Sequence, residues 1–340
     1  MNKWSFATKN IGIDLGTTKI LVTVTGKGIV LDEPLIVAVN KFTKEVLSIG
    51  DKAETIYNND PQNIDLVKPM KDGVIADYQT ISAILKNIIG KVCRDNNIRK
   101  PKIVIAVPQN ISELEERTVA EVVLQSGARE VFLVDSPVCA LIGAGFKIEE
   151  PDGKMIVDIG AGLTEACIVS LNNIISKKSS TVAGNLLDQN IIDRIKRAED
   201  LSISSFTAER LKREIGSAET LVIEKALEVE GRDINTGLLK LVRIPSRQIE
   251  RAIKDSVGEI VEVIKNTFTD APPEICSDII KNGIYLTGGG AQLQNLDNLI
   301  AQKLNIKTYI VKRPEKSAIL GIKKIIENEE KYYDVMHIRR

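Results

Sequence analysis

The stretch Ile11-Gly12-Ile13-Asp14-Leu15-Gly16-Thr17-Thr18-Lys19-Ile20-Leu21-Val22 decides the fold. Ile11 and Ile13 mark a short apolar strand, and Leu21, Val22 and Val24 an alternating one, so the residues between them form a tight turn. A glycine and two hydroxyl residues in such a turn let backbone N–H groups face an anion, which makes the turn a phosphate cradle. The same order returns at Ile156-Val157-Asp158-Ile159-Gly160-Ala161-Gly162-Leu163-Thr164, followed by Ala166-Cys167-Ile168-Val169. The phosphate turn is duplicated, with Asp14 and Asp158 each ending an incoming strand. Two such turns imply a nucleotide held between two similar domains, with both carboxylates reaching one Mg²⁺ through its waters.

Composition sets the bounds. The 340 residues exceed one ordinary core, so two domains of roughly 150 residues are expected. A hydrophobic share of 43% with 27% charged fits a globular protein, and 46 basic residues cancel 46 acidic ones, so no global field favours nucleic acid as a partner. Cys93, Cys139, Cys167 and Cys276 are far apart and mostly in apolar surroundings, which fits reduced core thiols in a cytosolic protein and argues against zinc. The single histidine, His337, lies among charged residues and reads as a solvated tail residue, leaving little material for histidine-based catalysis. No apolar run has the ~18–20 residues of a membrane span, and no signal-peptide core precedes the first strand, so a cytoplasmic protein is expected. The N-terminal segment places Trp4 and Phe6 between Lys3 and Lys9; it reads either as a tail packed on its own domain or as an interfacial foot on a bilayer.

Between the turns, residues 41–68 are polar and read as a small irregular subdomain. Asp77 caps a helix whose Ile81, Ile84, Leu85, Ile88, Ile89 and Val92 share one face. Ile103 to Val107 is a buried strand, and Ser112 with Glu115 forms a capping box for a helix that Gly127 ends. With Val131 to Val134 this makes a parallel crossover unit, and Pro137 then opens a helix of small residues. After the second turn come a hairpin through Asn172-Asn173, a helix from Gly184 to Arg197, a helix capped by Thr207 that places Glu209 and Lys212 on one face, and a mixed stretch over 217–247. Gln248 to Phe268 is a long amphipathic helix. Finally Ile284-Tyr285-Leu286-Thr287 runs straight into Gly288-Gly289-Gly290, ahead of a helix over Leu293 to Leu304; a strand opening into three glycines lets a ligand approach the backbone.

Taken together, Asp14-Leu15-Gly16-Thr17, Lys68-Pro69-Met70-Lys71-Asp72-Gly73-Val74-Ile75-Ala76-Asp77, Gly127-Ala128-Arg129-Glu130-Val131, Asp158-Ile159-Gly160, Glu209-Arg210-Leu211-Lys212 and Leu286-Thr287-Gly288-Gly289-Gly290 resemble MreB, the bacterial actin homologues, over nearly the whole chain. The loops alone would fit any actin-like ATPase. Pro69-Met70-Lys71-Asp72-Gly73, Gly231-Arg232-Asp233 with Thr236-Gly237, and Pro272-Pro273-Glu274 point to the MreB family in particular.

The resemblance implies an α/β, actin-like (ribonuclease H-like) fold of duplicated domains, each a mixed sheet with helices, flanking a nucleotide cleft. Domain I would span 1–145 plus a C-terminal helix over about 316–340, with a small subdomain over about 33–72. Domain II would span 146–315, with a small subdomain over about 184–247. ATP or ADP with Mg²⁺ would be the cofactors. By position, Asp14 and Asp158 would orient the hydrated metal; Gly16, Thr17, Thr18, Gly160, Ala161, Gly162, Leu163 and Thr164 would hold phosphates; Gly184, Glu209, Lys212, Gly288, Gly289 and Gly290 would line the nucleotide. The protein would polymerise with itself into membrane-associated filaments at the inner face of the cell membrane, serving cell shape or motility.

Three positions depart from the family's pattern. Where the family has two Glu before the proline at Pro137, this chain has Asp135-Ser136, so the carboxylate that polarises the attacking water is missing or displaced. The second loop, usually Gly-Gly-Gly-Thr-Thr, carries Leu163 where a hydroxyl is expected, leaving Asp135, Ser136 and Thr164 as the candidates for positioning water. Lys19 stands where Asn is common and brings a cation near the phosphates. A polymer with slow ATPase activity, a filament scaffold that binds ATP without significant hydrolysis, and a small-molecule kinase on the same fold are the functions to separate. A kinase needs a carboxylate base and usually longer substrate loops, neither of which is evident, and no peptide-binding domain follows the last helix as a chaperone would need.

Overall fold

The computed structural model describes residues 9–339, which divide into two units: one runs to Glu149 and resumes at Lys316, the other covers Glu150–Glu315. In the first unit, β1 (Ile11–Leu15), β2 (Lys19–Val24) and β3 (Gly28–Pro34) form an antiparallel meander whose alternating residues bury Ile11, Ile13, Ile20 and Val22. β4 (Val37–Asn40), β5 (Val46–Ile49) and β6 (Ile64–Val67) form a separate three-stranded sheet in the order β5-β4-β6, which packs with α1 (Asp51–Asn59) around Ile36, Ala38, Ala53 and Ile64. β7 (Met70–Lys71) and β8 (Val74–Ile75) pair across Asp72-Gly73, both with positive φ, as the tight hairpin turn requires.

α2 (Tyr78–Asn96) starts where the Asp77 carboxylate accepts the Thr80 N–H, and its buried face is the Ile81-to-Val92 stripe. Each such side chain contributes roughly 1.5–3 kcal/mol when fully buried. β9 (Lys102–Val107), α3 (Glu113–Gln125), β10 (Glu130–Asp135) and α4 (Ser136–Ala144) follow, with the Ser112–Glu115 capping box at the start of α3. β9 lies parallel to both β1 and β10.

The second unit repeats the plan. β11 (Lys154–Ile159), β12 (Thr164–Ser170) and β13 (Asn173–Ser180) make the meander. α5 (Gly184–Glu199), β14 (Leu201–Ser202), α6 (Ser205–Ile215), β15 (Ala226–Asp233) and β16 (Leu239–Pro245) carry a smaller sheet, and α7 (Ser246–Thr269) returns from it. α8 (Pro273–Asn282), β17 (Ile284–Thr287), α9 (Leu296–Leu304) and β18 (Thr308–Ile310) complete the larger sheet, in the order β13-β12-β11-β17-β18. β17 is parallel to β11 as β9 is to β1. Back in the first unit, α10 (Ser317–Glu327) packs on α4, and β19 (His337–Arg339) pairs antiparallel with β10. The first unit's sheet therefore runs β19-β10-β9-β1-β2-β3, the same five-strand plan with one added edge.

Several boundaries differ from the sequence reading. The expected helix over 316–340 stops at Glu327, because Asn328 leaves helical geometry and the following residues close with a strand on the β10 edge. The cap of α6 is Ser204, which accepts the Thr207 N–H at 3.1 Å; Thr207 lies in the first turn. The last predicted helix starts at Leu296 because Gly289–Gln292 first form a 3₁₀ turn and Asn295 has a positive φ. Among the described residues no helix is long and apolar enough to cross a membrane.

Candidate functional site

The two turns are congruent in hydrogen bonding. Gly16 N–H donates to the Lys19 carbonyl at 3.0 Å, and Gly160 N–H donates to the Leu163 carbonyl at 2.9 Å. A Cβ on either glycine would stand 3.1 Å from that same carbonyl, tighter than an ordinary contact. Two residues earlier, Asp14 faces Leu21 across the meander and Asp158 faces Glu165, so the carboxylates hold equivalent places at the ends of β1 and β11. Both are half-buried. The carboxyl ends of parallel strands are where open α/β sheets bind ligands.

In the second unit the predicted residues converge. Gly184 N–H donates to the Gly160 carbonyl at 3.1 Å and Asn185 N–H to the Ala161 carbonyl at 2.7 Å, so the phosphate turn satisfies free donors at the start of α5. A side chain at 184 would meet the Gly160 carbonyl at 3.2 Å and Lys212 Nζ at 3.5 Å. Lys212 Nζ donates to the Gly184 carbonyl at 2.9 Å and pairs with Asp188 at 2.8 Å, fixing α6 to the start of α5. Gly288, with φ +81°, lies against the Asp158 carboxylate and the Ile159 carbonyl, and Gly290 against the Ile159 side chain. Burial pushes the Asp158 carboxyl up to about 6. A half-buried carboxylate is a ligand for a hydrated hard cation, and a cation would offset the burial that disfavours its charge.

The first unit holds Asp14, Gly16, Thr17 and Thr18 in one turn, which Leu35 N–H anchors through the Thr18 carbonyl at 2.8 Å. Asp135 ends β10 and Ser136 begins α4, with Pro137 in its first turn. Burial raises the Cys139 thiol well above its ordinary value, and the Asp14 and Asp135 carboxylates add to it, so both acids share the neighbourhood of that thiol.

Two expectations, at Thr164 and His337, are corrected, and Lys19 and Glu209 gain partners. Thr164 is fully buried and its hydroxyl donates to the Val182 carbonyl at 2.7 Å, so its proton is committed to the backbone beside the sheet edge. Lys19 pairs with Asp32 at 3.1 Å. Glu209 is exposed and pairs with Arg213 at 3.7 Å, whereas Lys212 pairs with Asp188 at 2.8 Å. His337 is a strand residue whose Nε2 lies 3.9 Å from Asp135 Oδ2. Trp4 and Phe6 lie outside the described residues. Sequence reasoning missed Asp32 and Asp188. Asp188 could have been found one helical turn beyond Gly184; Asp32 sits on β3 opposite Leu21, a pairing that only the register reveals.

The model of the MreB/Mbl protein family matches residues 8–334. The chain is 38% identical over 320 residues to the cell shape-determining protein Mbl of Bacillus cereus, covering 94% of this chain and 96% of that protein. It is 36% identical over 323 residues to the cell shape-determining protein MreB of Escherichia coli, covering 94% and 93%. Among solved structures, MreB5 of Spiroplasma citri bound to ADP superposes with a TM-score of 0.90 at 32% identity, covering 96% of this chain and 98% of that one. The MamK double helical filament superposes with a TM-score of 0.80 at 21% identity over 94% and 98%, a likeness of fold alone. The actin-like fold implied by the resemblance is the fold these chains share.

Proposed function

The chain belongs to the MreB/Mbl family, and from that premise we propose that it is an actin-like filament protein that binds ATP with Mg²⁺ through both half-sites and turns it over slowly. The observation that carries this is the duplicated turn, with the same N–H to carbonyl bond at Gly16 and Gly160 and an Asp two residues before each. In this reading the turns present amide donors to phosphate oxygens, and Asp14 and Asp158 hold the waters of the cation, which neutralises phosphate charge when bound. Gly288 to Gly290 and Gly184 keep the backbone bare where a nucleoside would lie. Lys212 contributes by pinning α6 to α5. The solved relative bound to ADP supports the ligand class.

Self-assembly is proposed from family membership, with the filament structure of MamK in support. Association with the inner face of the cell membrane through Trp4 and Phe6, and a role in cell shape or motility, complete the reading. A filament scaffold without significant turnover is the second reading, favoured by one observation: the Thr164 hydroxyl is spent on Val182, and Leu163 closes the turn. Electron microscopy of the purified protein with and without Mg-ATP tests assembly. Ordered filaments that need nucleotide are expected; their absence in both conditions contradicts the polymer reading.

A further inference from the structure

Lys19 and Asp32 form one ion pair of a triad whose third member is Lys316. Lys19 Nζ lies 3.1 Å from Asp32 Oδ1 and Lys316 Nζ lies 3.1 Å from Asp32 Oδ2, so one carboxylate holds two ammonium groups on its two oxygens. The Lys19 side chain is 61% exposed and belongs to the residue whose carbonyl closes the first phosphate turn. Lys316 is where the chain returns to the first unit, immediately before α10. Burial alone would raise the Asp32 carboxyl, but hydrogen bonds from Lys19 and Lys316 bring it below its ordinary value.

We propose that Asp32 is a built-in competitor for the phosphates of the nucleotide: it holds the Lys19 ammonium while the first turn is free and yields it when a polyphosphate enters. The inference rests on the nucleotide-binding reading and adds a positioning residue to it. The physical basis is a comparison of partners. An exposed lysine–carboxylate pair is weak and solvent-screened, so a di- or triphosphate bound at the first turn, with more charge than one carboxylate, draws the ammonium away from it. A carboxylate already held by Lys316 is not left unpaired when Lys19 departs. Asp32 then bears on Lys316 alone, at the point where the chain re-enters the unit.

The test titrates the full-length protein with Mg-ATP and Mg-ADP, using Asp32→Asn, Asp32→Glu, Lys19→Met and the double variant Lys19→Met with Asp32→Asn. Asp32→Asn is expected to tighten both nucleotides by roughly two- to fivefold, the range of an exposed ion pair, and Asp32→Glu to behave as the wild type. Lys19→Met is expected to weaken binding by about tenfold or more, as loss of a charge-assisted hydrogen bond does. In the Lys19→Met background, Asp32→Asn is expected to change nothing. Weaker or unchanged binding in Asp32→Asn, or the same gain with and without Lys19, overturns the inference while leaving nucleotide binding intact. A wild type that binds neither nucleotide contradicts the nucleotide-binding reading, and this inference with it.

Discussion

Gly288 leaves no room for a side chain between its own backbone and the carboxylate of Asp158. A Cβ placed there would overlap Asp158 Oδ1 and the Ile159 carbonyl, and its φ of +81° strains any other residue. Gly289, next to it, has nothing within 4 Å of such a Cβ. Gly288→Ala is therefore expected to lose about 1–3 kcal/mol of stability and to weaken nucleotide binding, while Gly289→Ala changes stability by less than about 1 kcal/mol. Thermal melts of the two variants side by side check it; equal behaviour contradicts the placement.

Asp158 should cost the nucleotide-free protein stability at neutral pH. Its folded-state carboxyl is raised to about 6 from an ordinary value of 3.8, so the folded chain binds this proton more tightly than the unfolded one. The resulting stability is fully present below about pH 4 and is lost as pH rises through about 6. Asp158→Asn removes this dependence. Melting in EDTA between pH 4 and 8 should show the variant gaining on the wild type as pH rises; parallel curves would mean that Asp158 is ionised without penalty.

In the proposed reading, turnover depends on what stands at the ends of β10 and β11. A serine hydroxyl such as Ser136 can hold a water but is a poor base, Asp135 lies near His337, and the Thr164 hydroxyl donates to Val182. A missing water-positioning group is worth roughly 10²–10⁴-fold in rate. Phosphate release is expected to rise in Ser136→Glu and further in Ser136→Glu with Leu163→Thr, whereas Thr164→Val should lower stability by about 1 kcal/mol without changing the rate. A fast wild type, or one slowed by Ser136→Glu, contradicts this.

α4 and α10 touch backbone to backbone. A Cβ at Gly143 would overlap the Ser317 carbonyl, one at Gly321 the Cys139 carbonyl, and Lys324 Nζ donates to the Ile142 carbonyl at 2.7 Å. Neither obstacle is a flexible side chain. Gly143→Ala and Gly321→Ala are each expected to destabilise by about 3 kcal/mol or more. Denaturant unfolding measures it, and a loss under about 1 kcal/mol would show the helices able to move apart.

Local chemistry made much of this legible. Asp77, Ser112 and Glu115 announce their helices because caps are made by neighbours in sequence, and the buried stripe of α2 follows from its period. The two turns could be read because glycine, a hydroxyl or small residue and a preceding Asp are all within one stretch. What escaped depended on distant partners: Asp32 reaches Lys19 across a sheet register, His337 comes beside Asp135 only because β19 pairs with β10, and the Thr164 hydroxyl is taken by a carbonyl eighteen residues later. Thr164 was misjudged for the same reason, since sequence shows which group is present but not which neighbour claims it.

The equivalence of Asp14 and Asp158 is the claim on which the two-half-site reading stands. Mg-ATP titrations of Asp14→Ala and Asp158→Ala, each checked for a native circular-dichroism spectrum, test it most directly. Both variants are expected to lose most of their affinity, because either carboxylate alone leaves the hydrated cation and the phosphate charge poorly held. Wild-type affinity in either variant would contradict it.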